Sequence, residues 1–341
     1  MSSRGFHTWS ELCSQPVAWQ QASHALQQQL ADKPIAAGSH IIWSGCGSPF
    51  YLATSMARMT QQYCDVPSMA LPASEIWCNP EASLPRNAKP TLILLSRSGS
   101  TTEVLRAAER FRKQIPNGKI ITISCYADRP LAQMGDINIV LPSGQEQSIA
   151  QTRAFTVLQM GAIAVLCRIV GQSIADIAQI PDIATKVIDH YQQKCVEIGA
   201  DSRYQQFFFL GSGLRYGLAS EASLKMKEMS LTTSEPFHHM EFRHGPQSMV
   251  DDKTLVISLG SLTTNAQEQA VLADMRALGG HTLSIGPTPD CDMHWQSSLP
   301  DALQAIIALP LLQSIAYSRS ISRGLDPDNP HNLNAVVVLP Q

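Results

Sequence analysis

Between Glu221 and Pro246 the chain reads EASLKMKEMSLTTSEPFHHMEFRHGP. Glu221, Lys225 and Glu228 recur at i, i+4 and i+7, which puts two carboxylates and an ammonium on one face of a helix. Ala222, Leu224, Met226 and Met229 can pack around them, and beyond Ser230 the helical pattern dissolves at Thr232, Thr233 and Ser234. A loop-like run from His238 to Pro246 then supplies His238, His239 and His244. Carboxylate, ammonium and imidazole side by side are the parts of a proton-transfer site. Charged residues make up only 16% of the chain, so their crowding here needs a reason. The plain reading is a surface helix with ion pairs followed by a polar loop. His238-His239 likewise reads either as a solvated loop or as a receptor for a substrate carboxylate. No metal is expected, because adjacent histidine side chains diverge and no cysteine or carboxylate spacing completes a ligand set.

A second chemical feature lies in the first half, where the apolar run Thr91–Leu95 leads into Ser96-Arg97-Ser98-Gly99-Ser100-Thr101-Thr102-Glu103. Hydroxyls of Ser96, Ser98 and Thr101, with backbone N–H groups at a helix start, suit a phosphate, and Gly99 permits its close approach. A serine-rich N-cap with no ligand has the same composition. The signal is not a nucleotide motif: Gly45-x-Gly47 lacks the third dinucleotide glycine, and no G-x-x-x-x-G-K-[ST] occurs.

The elements that must position these groups form a repeated strand–turn–helix pattern. His40–Trp43 runs into Ser44-Gly45-Cys46-Gly47-Ser48 and a helical stretch from Phe50 to Gln62. Strands are expected at Ser68–Leu71, Thr91–Leu95, Lys119–Ser124 and Ile137–Leu141, with a helix over Val104–Gln114. Gln206–Leu210, Gly211-Ser212-Gly213 and Leu218–Met229 repeat the unit. An offset of 166 superposes both Gly-x-Gly turns and sets Leu52-Ala53 on Leu218-Ala219. Later strands fall at Leu255–Leu259 and His281–Ile285, and a long apolar helix at Leu303–Ser318. This is a duplicated α/β domain with parallel sheets. Gly260-Ser261-Leu262-Thr263-Thr264 has lost the alternating serines, so one anion nest is expected per chain, in the first half.

A chain of 341 residues fits two domains of ordinary size. Its formal net charge of −3 creates no field for nucleic acid or an anionic membrane. No basic helix-turn-helix precedes residue 34, and the most apolar windows are too short or interrupted for a membrane span. Eight cysteines without a C-x-x-C pair read as buried thiols in a reducing compartment. With no basic region followed by an apolar secretory segment near Met1, a cytoplasmic protein is expected.

Four motifs in order now carry a resemblance. Ser96-Arg97-Ser98-Gly99-Ser100-Thr101, Glu146 to Thr156, Glu221 to Glu228, and Glu241-Phe242-Arg243-His244-Gly245-Pro246 resemble the sugar isomerase (SIS) domain family. More narrowly they are similar to the isomerase half of glucosamine-6-phosphate synthase and to two-domain phosphosugar isomerases, deaminases and deglycases. The resemblance implies two tandem SIS domains, each a parallel sheet flanked by helices on both sides. Residues 1–33 are a helical extension, 34–170 the first domain, 171–200 a helical linker, 201–325 the second domain and 326–341 a tail acting as a lid. It further implies that Ser96, Arg97, Ser98, Gly99, Ser100 and Thr101, with Cys46, Gly47 and Ser48, hold a sugar 6-phosphate. Ile149 and Ala150 would line the pocket through backbone groups.

By the same resemblance Glu228 corresponds to the catalytic carboxylate, His244 assists ring opening, and Glu221 and Lys225 complete the polar wall. A homodimer or dimer of dimers with sites at subunit contacts is implied, and no cofactor. Two departures matter. No glutaminase domain is expected from these 341 residues, and Ala335 stands where the family has its Schiff-base lysine, which argues against a lysine-linked ketose imine. What remains is an isomerase or deaminase acting on an amino-sugar or ketosamine 6-phosphate by C1–C2 proton transfer. The alternatives are a fructosamine-6-phosphate deglycase and a non-catalytic sugar-phosphate-binding module. Trp77, Phe237, His238, His239 and residues 329–333 would decide what sits on nitrogen.

Overall fold

The computed structural model describes residues 4–30, 34–85 and 88–339. Residues 1–3 and 31–33 of the predicted extension, and 340–341 of the predicted tail, lie outside the described residues. The chain divides into two compact units, each assembled from separate stretches of sequence.

One unit is built on a five-stranded sheet: β1 (Ile41–Gly45), β2 (Ser68–Pro72), β3 (Thr91–Ser96), β4 (Lys119–Ser124) and β5 (Ile137–Val140). Its order is β2-β1-β3-β4-β5 and every pairing is parallel. β1 and β3 are buried at every position, which is why both read as unbroken apolar runs. Ile42, Leu92, Leu94 and Ile120 point to one face and pack on Ala73, Ile76, Val104, Ala107 and Phe111 from helices Ala73–Cys78 and Thr102–Gln114. Side chains one residue out of phase face the other way. There Trp43 Nε1 donates to Thr60 Oγ1 at 2.9 Å in helix Ser48–Tyr63, which packs with helix Arg153–Ile169.

The other unit repeats this with β6 (Gln206–Leu210), β7 (Thr233–Phe237), β8 (Thr254–Leu259), β9 (His281–Gly286) and β10 (Met293–His294). The order β7-β6-β8-β9-β10 is the first sheet's order again, all parallel. Helices Ile180–Ala200, Arg215–Ser230 and Ala308–Ser322 pack together beside this sheet. On its other face Phe208, Leu210, Val256, Val271, Leu272 and Met275 form a core with Phe242. In each sheet the strand order reverses between the first and third strands, and ligands of such folds bind at the carboxyl ends flanking that reversal.

Several expectations need correction. The helix ends at Ser230 as expected, but the strand that follows, β7, was not read: it is an edge strand, where Pro236 removes no needed ladder bond. The predicted loop after His238 contains a helical turn, His239–Phe242. The predicted helix 303–318 is broken into Asp301–Gln304, a 3-10 turn Ala305–Ile307, and Ala308–Ser322. All eight cysteines are free, but only Cys125, Cys195 and Cys291 are buried, while Cys13 and Cys78 are exposed.

Candidate active site

At the carboxyl end of β3 the serine turn is internally braced. Ser96 Oγ accepts from Gly99 N at 3.1 Å, Ser98 Oγ accepts from Ser100 N at 3.2 Å, and Ser98 Oγ lies 3.3 Å from Thr101 Oγ1. Gly99 has φ +63°, and a Cβ there would meet Arg129 Cβ at 2.9 Å. Helix Thr102–Gln114 starts immediately afterwards, so its N-terminus and the hydroxyls share one place. Arg97 is buried behind the turn. Its Nη1 donates to Glu146 Oε2 at 3.3 Å and its Nη2 to the Ala335 carbonyl at 2.9 Å, while Glu146 Oε1 accepts from Ala154 N at 3.0 Å. The Arg97 charge is therefore already paired inside the protein.

Cys46, Gly47 and Ser48 form the turn after β1, on the other side of the first sheet's reversal. Gly47 adopts φ +60°, ψ −126°, which only glycine takes readily. Burial, reinforced by the Glu103 carboxylate, pushes the Cys46 thiol up to about 12, which disfavours the thiolate. Ile149 and Ala150 belong to the unit of the second sheet, where Ser148 Oγ donates to Glu11 and to the Ala150 carbonyl at 3.1 Å.

The plain surface-helix reading of the stretch that begins at Glu221, on the helix expected at Leu218–Met229, is overturned by burial. Twelve of the sixteen residues in helix Arg215–Ser230 are buried, because small residues at 219, 220, 222 and 223 let neighbouring elements close around it. Side chains of Glu221 and Lys225 are 0% and 1% exposed, and that of Glu228 is 20% exposed. Lys225 Nζ lies 3.4 Å from Glu221 Oε1 and donates to Glu228 Oε2. An ammonium is thus shared by an enclosed carboxylate and one that still reaches solvent.

The loop after β7 does not place its three histidines alike. His239 is 1% exposed, with Nδ1 3.0 Å from Ser212 Oγ and Nε2 2.7 Å from Ser258 Oγ. Burial, with Arg215 and His238 adding positive charge, pushes its imidazole down to about 3. The solvated-loop reading is therefore wrong for His239, and it is not open to a substrate carboxylate. His238 stacks on Tyr216 with centroids 4.0 Å apart. His244 is exposed, and among the described residues no hydrogen bond or ion pair joins its ring to Glu228.

Sequence reading missed what fills the equivalent turn of the second sheet. Ser261 and Thr264 stand where Ser98 and Thr101 stand, 163 residues on, with their hydroxyls 2.7 Å apart. Buried Glu268 occupies them: its carboxylate accepts from Ser261 N at 2.9 Å, Ser261 Oγ at 3.0 Å and Thr264 Oγ1 at 2.6 Å. The position corresponding to Glu268 in the first half is Leu105, which carries no carboxylate. The signal was available: a Ser-x-x-Thr pair followed four residues later by Glu.

Among the described residues no helix is long and apolar enough to cross a membrane, and no three His, Cys, Asp or Glu side chains are grouped to hold a metal ion.

Fold and turns together define a duplicated parallel α/β protein with an internally braced serine turn at the end of β3. The SIS domain model matches residues 35–167 and 202–299, and the chain belongs to that family. It is 28% identical over 263 residues to a glutamine–fructose-6-phosphate aminotransferase of Sulfurisphaera tokodaii, covering 74% of this chain and 43% of that protein. The Bacillus subtilis enzyme of that name is 27% identical over 313 residues, covering 88% and 51%. This chain thus spans about half the length of the curated relatives it matches. A glucosamine-6-phosphate deaminase from Thermotoga maritima superposes with a TM-score of 0.86 at 27% identity, covering 98% of this chain and all of that one. A tagatose-6-phosphate ketose/aldose isomerase from Escherichia coli superposes at 0.84 with 22% identity, covering 98% and 96%, a likeness of fold.

Proposed function

We propose that the protein is an enzyme acting on a sugar 6-phosphate, an isomerase or deaminase of an amino-sugar or ketosamine phosphate. The observation that carries this reading is the half-open Glu228 carboxylate held beside the enclosed Lys225 ammonium. Glu228 is the base that takes a proton from one of the adjacent carbons C1 and C2 of the open chain and returns it to the other. The enediol or enolamine between these steps bears oxygen charge that Lys225 stabilises. Glu221 balances the Lys225 charge from within, and His244 passes the proton that opens the ring. Ser96, Ser98, Ser100 and Thr101, with the turn at Cys46–Ser48, bind the phosphate and sugar hydroxyls. Gly99 gives the bend, Arg97 holds the turn from behind, and Ile149 and Ala150 offer backbone groups. Phosphate binding then supplies orientation rather than chemistry.

For a deaminase the same pair protonates the departing nitrogen, and water takes its place. The glucosamine-6-phosphate deaminase similarity supports that branch. A deglycase acting on a fructosamine 6-phosphate uses the same steps with an amino acid as the leaving group. Exposed Met240 and Met249 flank His244, which supports a homodimer or dimer of dimers that covers the histidine loop. The residues at 326–333 belong to a tail proposed as the lid, and a cytoplasmic location goes with the thiol content. Replacing Glu228 by Gln tests the reading. Turnover should fall about a thousandfold with sugar-phosphate binding retained, whereas undiminished turnover removes Glu228 from the mechanism and a chain that binds but never turns over any sugar phosphate is a binding module.

A further inference from the structure

In the second sheet, the crevice at the strand reversal is closed by the protein's own side chains. Glu268 takes Ser261 N and both hydroxyls of the Ser261–Thr264 turn after β8, and Asp301 takes Leu262 N. His239 spans the gap from Ser212, in the turn after β6, to Ser258 near the end of β8. Ser212 lies three residues before helix Arg215–Ser230, which carries Glu228. His239 lies five residues before His244, and between them Phe242 is buried against Phe208 and Phe237 at centroid distances of 5.0 and 5.3 Å. Phe242 supplies non-directional burial, while the His239 ring supplies two directional bonds, one to the mouth of the Glu228 helix and one to the sheet. Its neutral imidazole has one donor and one acceptor nitrogen, and either tautomer satisfies both when each partner is a hydroxyl.

We propose that His239 is a positioning residue, whose bond to Ser212 sets the loop carrying His244 against the helix carrying Glu228. This inference rests on the roles proposed above for those two residues. The second crevice has become a mount for the catalytic loop, where the first remains a ligand crevice. Misplacing a proton-transfer group by about 1 Å costs on the order of a hundredfold in rate.

The experiment compares His239→Ala with His239→Asn, whose amide overlies the Nδ1 side of the ring and keeps the Ser212 bond. Steady-state kinetics with whichever sugar phosphate the wild type turns over is combined with amide hydrogen exchange over residues 240–245. His239→Ala should lower kcat about a hundredfold with KM within about threefold, and exchange in the loop should rise. His239→Asn should recover kcat to within about tenfold and restore slow exchange. A wild-type rate in His239→Ala overturns the proposal. So does an equal loss in both variants in which kcat, KM and thermal midpoint fall together, since that is a purely structural role. If His239→Ala does not fold, Ser212→Ala removes the same bond from the other side, and a wild-type kcat there is equally fatal. A wild type inactive on every sugar phosphate contradicts the proposed activity instead, and the exchange comparison then decides the mount alone.

Discussion

Lys225 is enclosed with two carboxylates, and this arrangement makes separate demands on stability and on turnover. Removing one partner of a buried ion pair leaves the other charged and desolvated. Lys225→Met should therefore destabilise the fold by about 3–5 kcal/mol in a denaturant titration, chiefly because Glu221 loses its counter-charge inside the helix packing. Glu228→Gln keeps the shape and a hydrogen-bonding group on the solvent side, and its effect should fall on turnover. His239 adds a pH dependence of opposite origin. Its folded-state value near 3 lies below the ordinary 6.5, so the unfolded chain binds the extra proton between these limits. Stability from this residue is complete above pH 6.5 and is lost as pH falls toward 3, at up to about 1.4 kcal/mol per pH unit. Urea titrations from pH 7 to 4 should show a shallower decline in His239→Asn than in wild type. An unchanged slope would mean the imidazole is not held neutral.

At the scale of elements, the two turns flanking the first sheet's reversal use backbone in different ways. Gly47→Ala meets no neighbour within 4 Å yet must adopt φ +60°, ψ −126°. It should cost about 1–3 kcal/mol through conformation alone, read as a lowered thermal midpoint. In the serine turn, Ser98→Ala removes a hydroxyl that both orders Ser100 and faces Thr101. Affinity for a sugar phosphate should fall roughly 10–100-fold, the worth of a hydrogen bond to a charged group. Unchanged affinity measured by calorimetry would show that the turn is only a cap. These elements were legible in the sequence because β1, β3, β6 and β8 are buried on both faces and read as unbroken apolar runs. β7 was not: TSEPF pairs on one side only, so polar residues and a proline are tolerated there. The helix carrying Glu228 was placed correctly, but its burial was invisible, since alanine and serine spacing says little about what packs against them.

Across the whole molecule, two sheets of identical strand order have diverged in what their crevices hold. The 166-residue offset between the Gly-x-Gly turns revealed the duplication, and the family resemblance gave roles to single residues within it. Neither revealed that Glu268 and His239 fill the second crevice: the Ser-x-x-Thr spacing before Glu268 shows its meaning only beside the first half's turn, and nothing in the His238-His239 pair says which ring is buried. The same family frame serves isomerases and deaminases, so only product chemistry separates the branches. Wild-type protein is to be incubated in D2O with glucosamine 6-phosphate, with fructose 6-phosphate and with an amino-acid conjugate of fructose 6-phosphate, beside Glu228→Gln, and products followed by proton and phosphorus NMR. The account predicts deuterium at C1 or C2 with at least one substrate, accompanied by ammonia release for a deaminase or free amino acid for a deglycase, and almost none with Glu228→Gln. Equal deuterium incorporation by the two proteins, or turnover without any exchange at those carbons, would contradict it.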